Sequence, residues 1–188
     1  MKKVILSLLI PFLFSCKENK KSTIENTTQE KEVTTSKTNQ DEEEMLIGII
    51  SCKDLEQGIY NEWFVENFND HTVDTKTINK LKPLLNDVFI QVFMGTWCSD
   101  SQREIPALHK ILETADFDEN NMEIIAVNRD KTTPNGLEKG MDIQYVPTLI
   151  FYKNKKELGR IVEMPVETLE KDMLAILSGK PYKHSYQE

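Results

Sequence analysis

The chain has 188 residues, of which 39% are hydrophobic and 29% are charged, a balance typical of soluble globular domains. This balance excludes a polytopic membrane protein, and the counts of 7 Gly, 7 Pro and 3 Cys exclude a collagenous fibre and a cysteine-rich disulfide scaffold. The 23 basic and 31 acidic residues give a formal net charge of −8, and this acidic balance argues against a nucleic-acid partner.

The N-terminal residues have the pattern of an export signal. Two lysines at positions 2 and 3 precede an apolar run over residues 4–14. This run is too short to cross about 30 Å of hydrocarbon as a helix, but it has the length of a signal-peptide core. Residues 13–16 read LFSC and resemble a bacterial lipobox. The resemblance implies a signal peptide over 1–15 and a lipid on Cys16. The alternative is a plain signal peptide in which Cys16 has no role.

Residues 17–44 have the composition of a flexible linker. They contain no aromatic residue, no Gly and no Pro, and their only apolar residues are Ile24 and Val33. Such a segment cannot bury enough apolar surface to offset the entropy lost on ordering. We therefore predict a lipidated, disordered linker over 16–45, which would hold a domain roughly 30 Å from a membrane. A disordered tail with no spacing role would have the same composition.

The remaining residues, 46–188, predict one α/β domain. Five apolar runs have strand length, at residues 46–50, 88–94, 123–128, 148–152 and 157–162. The second and fourth are almost continuously apolar, as expected of strands covered on both faces. Residues 153–156, between the last two runs, have the length of a hairpin loop.

Helical periodicity occurs between and after these runs. The apolar groups are Tyr60, Trp63, Phe64 and Phe68; Ile78, Leu81, Leu84 and Leu85, interrupted by Pro83; Ile105, Leu108, Ile111 and Leu112; and Val166, Leu169, Met173, Leu174 and Leu177, before Gly179. A short irregular or helical piece is expected around residues 134–140. This order predicts an α/β sandwich, with a central mixed sheet of about five strands flanked by helices.

The residues best suited to chemistry lie between the second strand and the helix after it. Cys98 stands at this junction, where a buried strand ends and a helix begins. A helix N-terminus presents unpaired N–H groups and the positive end of the helix dipole, which favour thiolate over thiol. The thiolate is the nucleophile in cysteine chemistry, so we predict that Cys98 is reactive. An inert core cysteine is the alternative.

Three short motifs carry a resemblance to the thioredoxin superfamily. Trp97 and Cys98, with the two residues that follow, resemble its active-site turn. Pro106, eight residues after Cys98, is similar to the proline that kinks its active-site helix. Val146 and Pro147, just before an apolar strand, resemble its cis-proline loop, which lies against the active-site cysteine.

The order of predicted elements over residues 46–180 is also similar to that superfamily, and the chain most resembles membrane-anchored lipoproteins of the bacterial envelope. The resemblance implies that Val146 and Pro147 hold an extended segment of a partner protein by strand addition, beside Trp97. Two alternatives stay open. Trp97 packs next to the site without binding anything, or the bond before Pro147 is trans, as most X–Pro bonds are.

Two positions depart from the pattern of the superfamily. Ser101 stands in place of its second cysteine, and Val92 stands in place of its buried acid. A dithiol protein resolves its mixed disulfide with the second thiol, and Ser101 cannot perform that step. Ser101 is expected either to hydrogen-bond the Cys98 thiolate or to form a capping box with Glu104 that satisfies helix N–H groups.

The other candidate ligands and nucleophiles carry less information. Cys52 could pair with Cys98 only if their Cα atoms lie within about 7 Å, and a free, semi-buried Cys52 thiol is the favoured interpretation. His71, His109 and His184 lack metal-ligand spacing, and we expect His109 on the surface. No phosphate-binding glycine loop or dinucleotide fingerprint occurs, so we expect no metal and no cofactor.

These observations together predict an envelope lipoprotein with a monothiol, Cys-x-x-Ser thioredoxin-like domain. It would act in thiol–disulfide exchange or isomerisation through Cys98, with Ser101 as a second site residue. Its partners would be protein thiols or disulfides of the bacterial cell envelope, on the periplasmic side or at the outer membrane, and the membrane itself through the lipid anchor. The alternative is a redox-inactive thioredoxin fold that acts as a binding or chaperone-like module.

Overall fold

A computed structural model describes residues 34–36 and 44–187 of the chain. The predicted signal peptide over 1–15, Cys16 and most of the predicted linker lie outside these residues. The strands are β1 Thr34–Ser36, β2 Met45–Ile50, β3 Val88–Met94, β4 Met122–Ala126, β5 Thr148–Lys153 and β6 Lys156–Val162. The helices are α1 Cys52–Leu55, α2 Asn61–Asp70, α3 Thr75–Leu81, α4 Ser99–Thr114 and α5 Leu169–Leu177. Among the described residues, no helix is long and apolar enough to cross a bilayer.

The six strands form one mixed sheet in the order β1-β2-β4-β3-β5-β6. Strands β3 and β4 are parallel, whereas every other neighbouring pair is antiparallel. The predicted α/β sandwich around a central mixed sheet is therefore confirmed. Strand β3 is central, because it pairs with β4 on one side and with β5 on the other. Residues 95–98 follow directly at its carboxyl end.

One strand lies in the segment that was predicted as linker. Strand β1 pairs antiparallel with residues 45–47 of β2. Its sequence, TTS, is polar and has no apolar alternation, so hydrophobic periodicity gives no sign of it. The open hydrogen-bonding edge of β2 accounts for the pairing. A paired strand thus lies upstream of the predicted domain boundary at residue 46.

The larger core lies between one face of the sheet and helices α2 to α5. Alternate residues of β3, namely Ile90, Val92 and Met94, point into it and are fully buried, as the period of two in a strand requires. Val92, at the position where the resemblance places a buried acid, is thus part of an apolar core.

The opposite face of the sheet is covered without a helix. Strand β4 ends at Ala126, β5 begins at Thr148, and residues 127–147, all of them described, form turns and irregular loop. The piece expected around residues 134–140 is therefore irregular. Side chains of this connection pack on a smaller core that includes Phe93 of β3; they are Leu137, Met141 and Ile143.

The last helix starts later than the apolar periodicity predicts. Thr168 caps α5, because its hydroxyl accepts a hydrogen bond from the Lys171 N–H at 3.3 Å. Val166 consequently lies in the preceding loop, with 56% of its surface exposed, so the prediction that it belongs to the helix's apolar face is wrong.

His109 is also placed differently from the expectation of a surface residue. Helix α2 packs against α4, and the His109 ring lies 5.9 Å from the Phe64 ring and 5.8 Å from the Phe68 ring. Only 14% of its side chain is exposed. The expectation failed because the position of His109 within α4 gives no information about the neighbouring helix that covers it.

Candidate functional site

Cys98 occupies the turn between β3 and α4. It is the N-cap residue of the 16-residue helix α4, with extended backbone angles of φ −97° and ψ 120°. Its N–H donates to the Gly95 carbonyl at 3.0 Å, and its own carbonyl accepts from the Gln102 N–H at 2.9 Å. The Cys98 sulfur therefore lies at the positive end of a long helix, where a negative charge is stabilised. Pro106 lies within the same helix.

The sulfur of Cys98 contacts the loop before β5. The Cys98 thiol donates to the Val146 carbonyl at a sulfur–oxygen distance of 3.2 Å, and Cys98 is half-buried. The Val146–Pro147 peptide bond is cis, in agreement with the resemblance. The structure thus brings Cys98, Val146 and Pro147 together from two segments that are far apart in the sequence.

The main chain at Val146 retains a free donor. Val146 precedes β5, and its N–H makes no hydrogen bond with any residue that the structure describes. The whole residue is 3% exposed, so it is anchored by packing. An extended chain that approached Cys98 could pair with this N–H as in strand addition.

Trp97 is held beside Cys98 by packing and one hydrogen bond. Its indole Nε1–H donates to the Val127 carbonyl at 2.9 Å, and the Arg129 guanidinium lies 5.2 Å from the ring centre. A Cβ on Gly95 would stand 2.5 Å from an indole carbon of Trp97. Only glycine at position 95 therefore allows this indole position, which agrees with a packing role for Trp97.

Ser101 is the third residue of α4 and is completely buried, with 0% exposure. Its hydroxyl oxygen accepts a hydrogen bond from the Gly95 N–H at 3.2 Å. The capping-box interpretation is wrong, because the helix begins before Ser101 and the Glu104 carboxylate instead pairs with Arg103 Nε at 2.8 Å. Among the described residues, the Ser101 hydroxyl bonds the turn before α4, through Gly95, rather than the Cys98 sulfur.

The charges nearest to the turn are paired with one another. Asp100, in the first turn of α4, accepts from Arg103 at 2.8 Å, and Arg103 also binds Glu104. Burial raises the pKa of Glu104, and the hydrogen bond from Arg103 opposes that shift. Arg103 thus pairs with both Asp100 and Glu104. Asp100 follows Cys98 by two residues, and Glu104 is only 7% exposed.

Cys52 is not part of the site around Cys98. It begins the short helix α1, is 6% exposed and is a free thiol, as is Cys98. Burial, followed by the charges of Glu119 and Glu56, raises the pKa of the Cys52 thiol to about 12. The Cys52–Cys98 bond is therefore not formed, and Cys52 packs as a small apolar side chain.

His71 and His109 form ion pairs or ring contacts, and His184 accepts a hydrogen bond from the Tyr186 N–H. His71 Nε2 lies 3.0 Å from a carboxylate oxygen of Glu170. Within residues 34–36 and 44–187, no group of three His, Cys, Asp or Glu side chains is arranged to hold a metal ion.

Sequence reasoning missed the C-terminal residues that lie beside the site. The Tyr186 ring stacks on Tyr145 with centroids 3.9 Å apart, and the Tyr186 hydroxyl donates to the Glu163 carboxylate. Tyr145 immediately precedes the cis peptide. Two tyrosines in an aperiodic polar tail were the only available signal, and tyrosine content alone does not indicate a position in the fold.

Comparisons with known proteins concern the family and the fold. Residues 68–175 match the family model described as thioredoxin. A Pseudomonas aeruginosa protein of unknown function has a similar fold, with a TM-score of 0.52, 17% identity, and coverage of 68% of this chain and 90% of that chain. Mitochondrial thioredoxin 3 of Saccharomyces cerevisiae, in its oxidized form, aligns with a TM-score of 0.31 and 21% identity over 51% of this chain and 86% of its own. No curated protein matches.

Proposed function

Because the chain belongs to the thioredoxin family, we propose that it exchanges thiols and disulfides through the single thiol of Cys98. One observation carries this proposal. Cys98 is half-buried and is the N-cap residue of α4, and its thiol donates to the Val146 carbonyl at 3.2 Å. A helix N-terminus stabilises the thiolate, and partial exposure lets a partner sulfur approach it.

The proposed reaction is isomerisation of a partner's disulfides. The Cys98 thiolate attacks one sulfur of the partner disulfide, so that a Cys98–partner S–S bond forms while the partner's own S–S bond breaks. The released partner thiolate takes up a proton. A second partner thiolate then attacks the partner sulfur of the mixed disulfide, forms a new partner disulfide and releases the Cys98 thiolate. The cycle conserves electrons and needs no outside oxidant or reductant.

The residues around Cys98 have separate proposed roles. Helix α4 stabilises the Cys98 thiolate as attacking and leaving group, because Cys98 stands at the positive end of the helix dipole. The unpaired Val146 N–H, next to Pro147, aligns an extended partner chain, and Trp97 forms an adjacent wall. Ser101 supports the turn through Gly95 and supplies no second thiol, which favours isomerisation over unaided reduction.

We also propose that the domain works in the bacterial cell envelope as a lipoprotein. This part rests on the sequence pattern at residues 1–16, which lies outside the described residues. A lipid on Cys16 would attach the chain to a membrane on the periplasmic side or at the outer membrane, where protein disulfides persist. Protein thiols and disulfides of that compartment would be its partners.

The nucleophile is tested by labelling the full chain with a small aromatic disulfide at pH 8, in a Cys16→Ser background so that Cys52 and Cys98 are its only thiols. We expect rapid labelling of Cys98 and none of Cys52, because a buried thiol with a pKa of about 12 holds about one part in 10⁴ as thiolate at that pH. Peptide mapping assigns the label. The Cys52→Ser variant should react like the parent, and Cys98→Ser should lose the fast phase. Equal labelling rates for Cys98 and Cys52 would contradict the proposal.

The anchor is tested by replacing Cys16 with serine. The parent should fractionate with membranes after export, and the Cys16→Ser variant should be released into the soluble fraction, because it has no thiol to receive lipid. Membrane association that persists in Cys16→Ser would contradict the lipid anchor. Cys52→Ser is the matched control, since it removes a different thiol and should stay with the membrane.

A redox-inactive binding module is the second candidate function. It is favoured by Ser101, which removes the resolving thiol, and by Val92, which replaces an expected acid with apolar core. Binding of unfolded polypeptide would survive Cys98→Ser, whereas thiol–disulfide exchange would not. Suppression of aggregation of a cysteine-free client by Cys98→Ser, with no mixed disulfides recovered through Cys98 in cells, would support this second function instead.

A further inference from the structure

We propose that Tyr145 and Tyr186 form a docking wall that selects partner polypeptides with an apolar or aromatic side chain close to the reacting cysteine. This inference rests on the proposed function and extends it to the kind of partner. The wall is defined as Tyr145, Tyr186 and Met164. The ligand of this wall is an extended segment of a partner polypeptide, which also pairs with the main chain at Val146.

The C-terminal tail is held in place rather than loosely attached. The Tyr182 hydroxyl donates to the Asp172 carboxylate of α5 at 2.9 Å. Four residues later, the Tyr186 ring stacks on Tyr145 with an interplanar angle of 14°. The Tyr186 hydroxyl donates to Glu163, which raises the pKa of Tyr186 to about 12. The tail thus presents a neutral aromatic ring in a defined position.

The wall is continuous with the segment that contacts Cys98. Tyr145 precedes Val146, whose carbonyl accepts from the Cys98 thiol. The Glu163 N–H donates to the Pro147 carbonyl at 2.7 Å, so the loop after β6 follows the same edge. The negative charge of Asp100, in the first turn of α4, also contributes to the raised pKa of the Tyr186 hydroxyl. The tyrosines therefore border the approach to the sulfur.

The exposure of these side chains favours an apolar occupant. Tyr145 is 39% exposed, Tyr186 is 44% exposed and Met164 is 43% exposed. Glu163, the carboxylate closest to the pair, is engaged by the Tyr186 hydroxyl. Stacked tyrosines and an exposed methionine offer a rigid apolar surface with a polar tip, a type enriched in protein interfaces. A small disulfide that reaches only the sulfur would bury little of this surface.

The experiment compares two disulfide-containing peptides in reaction with the full chain, in which Cys16→Ser removes the thiol outside the domain. One peptide has Phe two residues from its cysteine and the other has Ser at that position, and hydroxyethyl disulfide is the small reference. We expect Tyr186→Ala to lower the ratio of the Phe-peptide rate to the reference rate about tenfold, the size of one lost aromatic contact. Tyr186→Phe should keep most of that ratio, because the ring stays. Phe89→Ala, an exposed aromatic at the far end of β3, is the matched control.

Each outcome decides the inference. An unchanged ratio in Tyr186→Ala overturns it, and so does an increased ratio, which would mean that the tail covers the site. Failure of the parent to react with hydroxyethyl disulfide refutes the proposed exchange function instead. In that case, noncovalent binding of the Phe peptide to Cys98→Ser is measured with and without Tyr186→Ala. Weaker binding of the double variant supports the docking wall, and equal binding overturns it.

Discussion

We expect the Ser101→Cys variant to gain disulfide reductase activity, with turnover of insulin by an external dithiol at least about 100-fold above the parent. Position 101 is the third residue of α4, so its side chain returns to the same face of the first turn as Cys98. A thiol there attacks the mixed disulfide from within the molecule, at an effective concentration that a free thiol cannot match. Insulin precipitation in the presence of dithiothreitol measures the gain.

The control for this gain is Ser101→Ala, which removes the hydroxyl without adding a thiol. It should remain as inactive as the parent, and Cys98→Ser combined with Ser101→Cys should also be inactive. Because Ser101 is fully buried and accepts from Gly95, thermal unfolding must show that each variant is folded. A folded Ser101→Cys protein that reduces no disulfide would mean that Cys98 does not present a usable sulfur.

The Asp172→Ala variant should lose about 3 kcal/mol of unfolding free energy, because the change removes a buried carboxylate that accepts hydrogen bonds from three donors. Asp172 is 3% exposed. Its carboxylate accepts from the Val166 N–H at 2.6 Å, the Glu167 N–H at 3.2 Å and the Tyr182 hydroxyl at 2.9 Å. Urea unfolding measures the loss.

Glu167→Gln is the matched control for Asp172. Glu167 is exposed and pairs with Lys171 on the surface at 3.2 Å, so its neutralisation should cost less than about 0.5 kcal/mol. Tyr182→Phe removes one of the three donors and should cost about 1 kcal/mol. Similar stabilities for Asp172→Ala and Glu167→Gln would contradict the view that Asp172 joins the loop after β6 to the C-terminal tail.

The sequence was sufficient where a local pattern reflects a local structure. The apolar run that became β3 and the periodicity of α4 together placed Cys98 at a strand-to-helix turn. Val146 and Pro147 were assigned to the site by resemblance, and the contact between Cys98 and the Val146 carbonyl agrees with that assignment. Ser101 was misinterpreted because a Ser-x-x-Glu pattern occurs inside helices as well as at their starts.

The parts that could not be predicted depend on contacts between distant, aperiodic segments. Tyr186 lies against Tyr145 although 41 positions separate them in the printed sequence, and no periodicity marks either residue. Strand β1 arises from the open edge of β2 rather than from its own polar sequence. Asp172 is charged and buried, and hydrophobic patterning assigns such a residue to the surface.

The uneven cover of the sheet has a consequence for how the domain fluctuates. Helices close the larger core, whereas the smaller core behind Cys98 is closed by residues 127–147 through turns and side chains. Regions with few regular backbone hydrogen bonds open at a lower free energy than packed helices do. Transient openings will therefore concentrate on the Cys98 side of the sheet, so that the surface around Cys98 can adjust to a bulky client while α2, α4 and α5 keep their native packing.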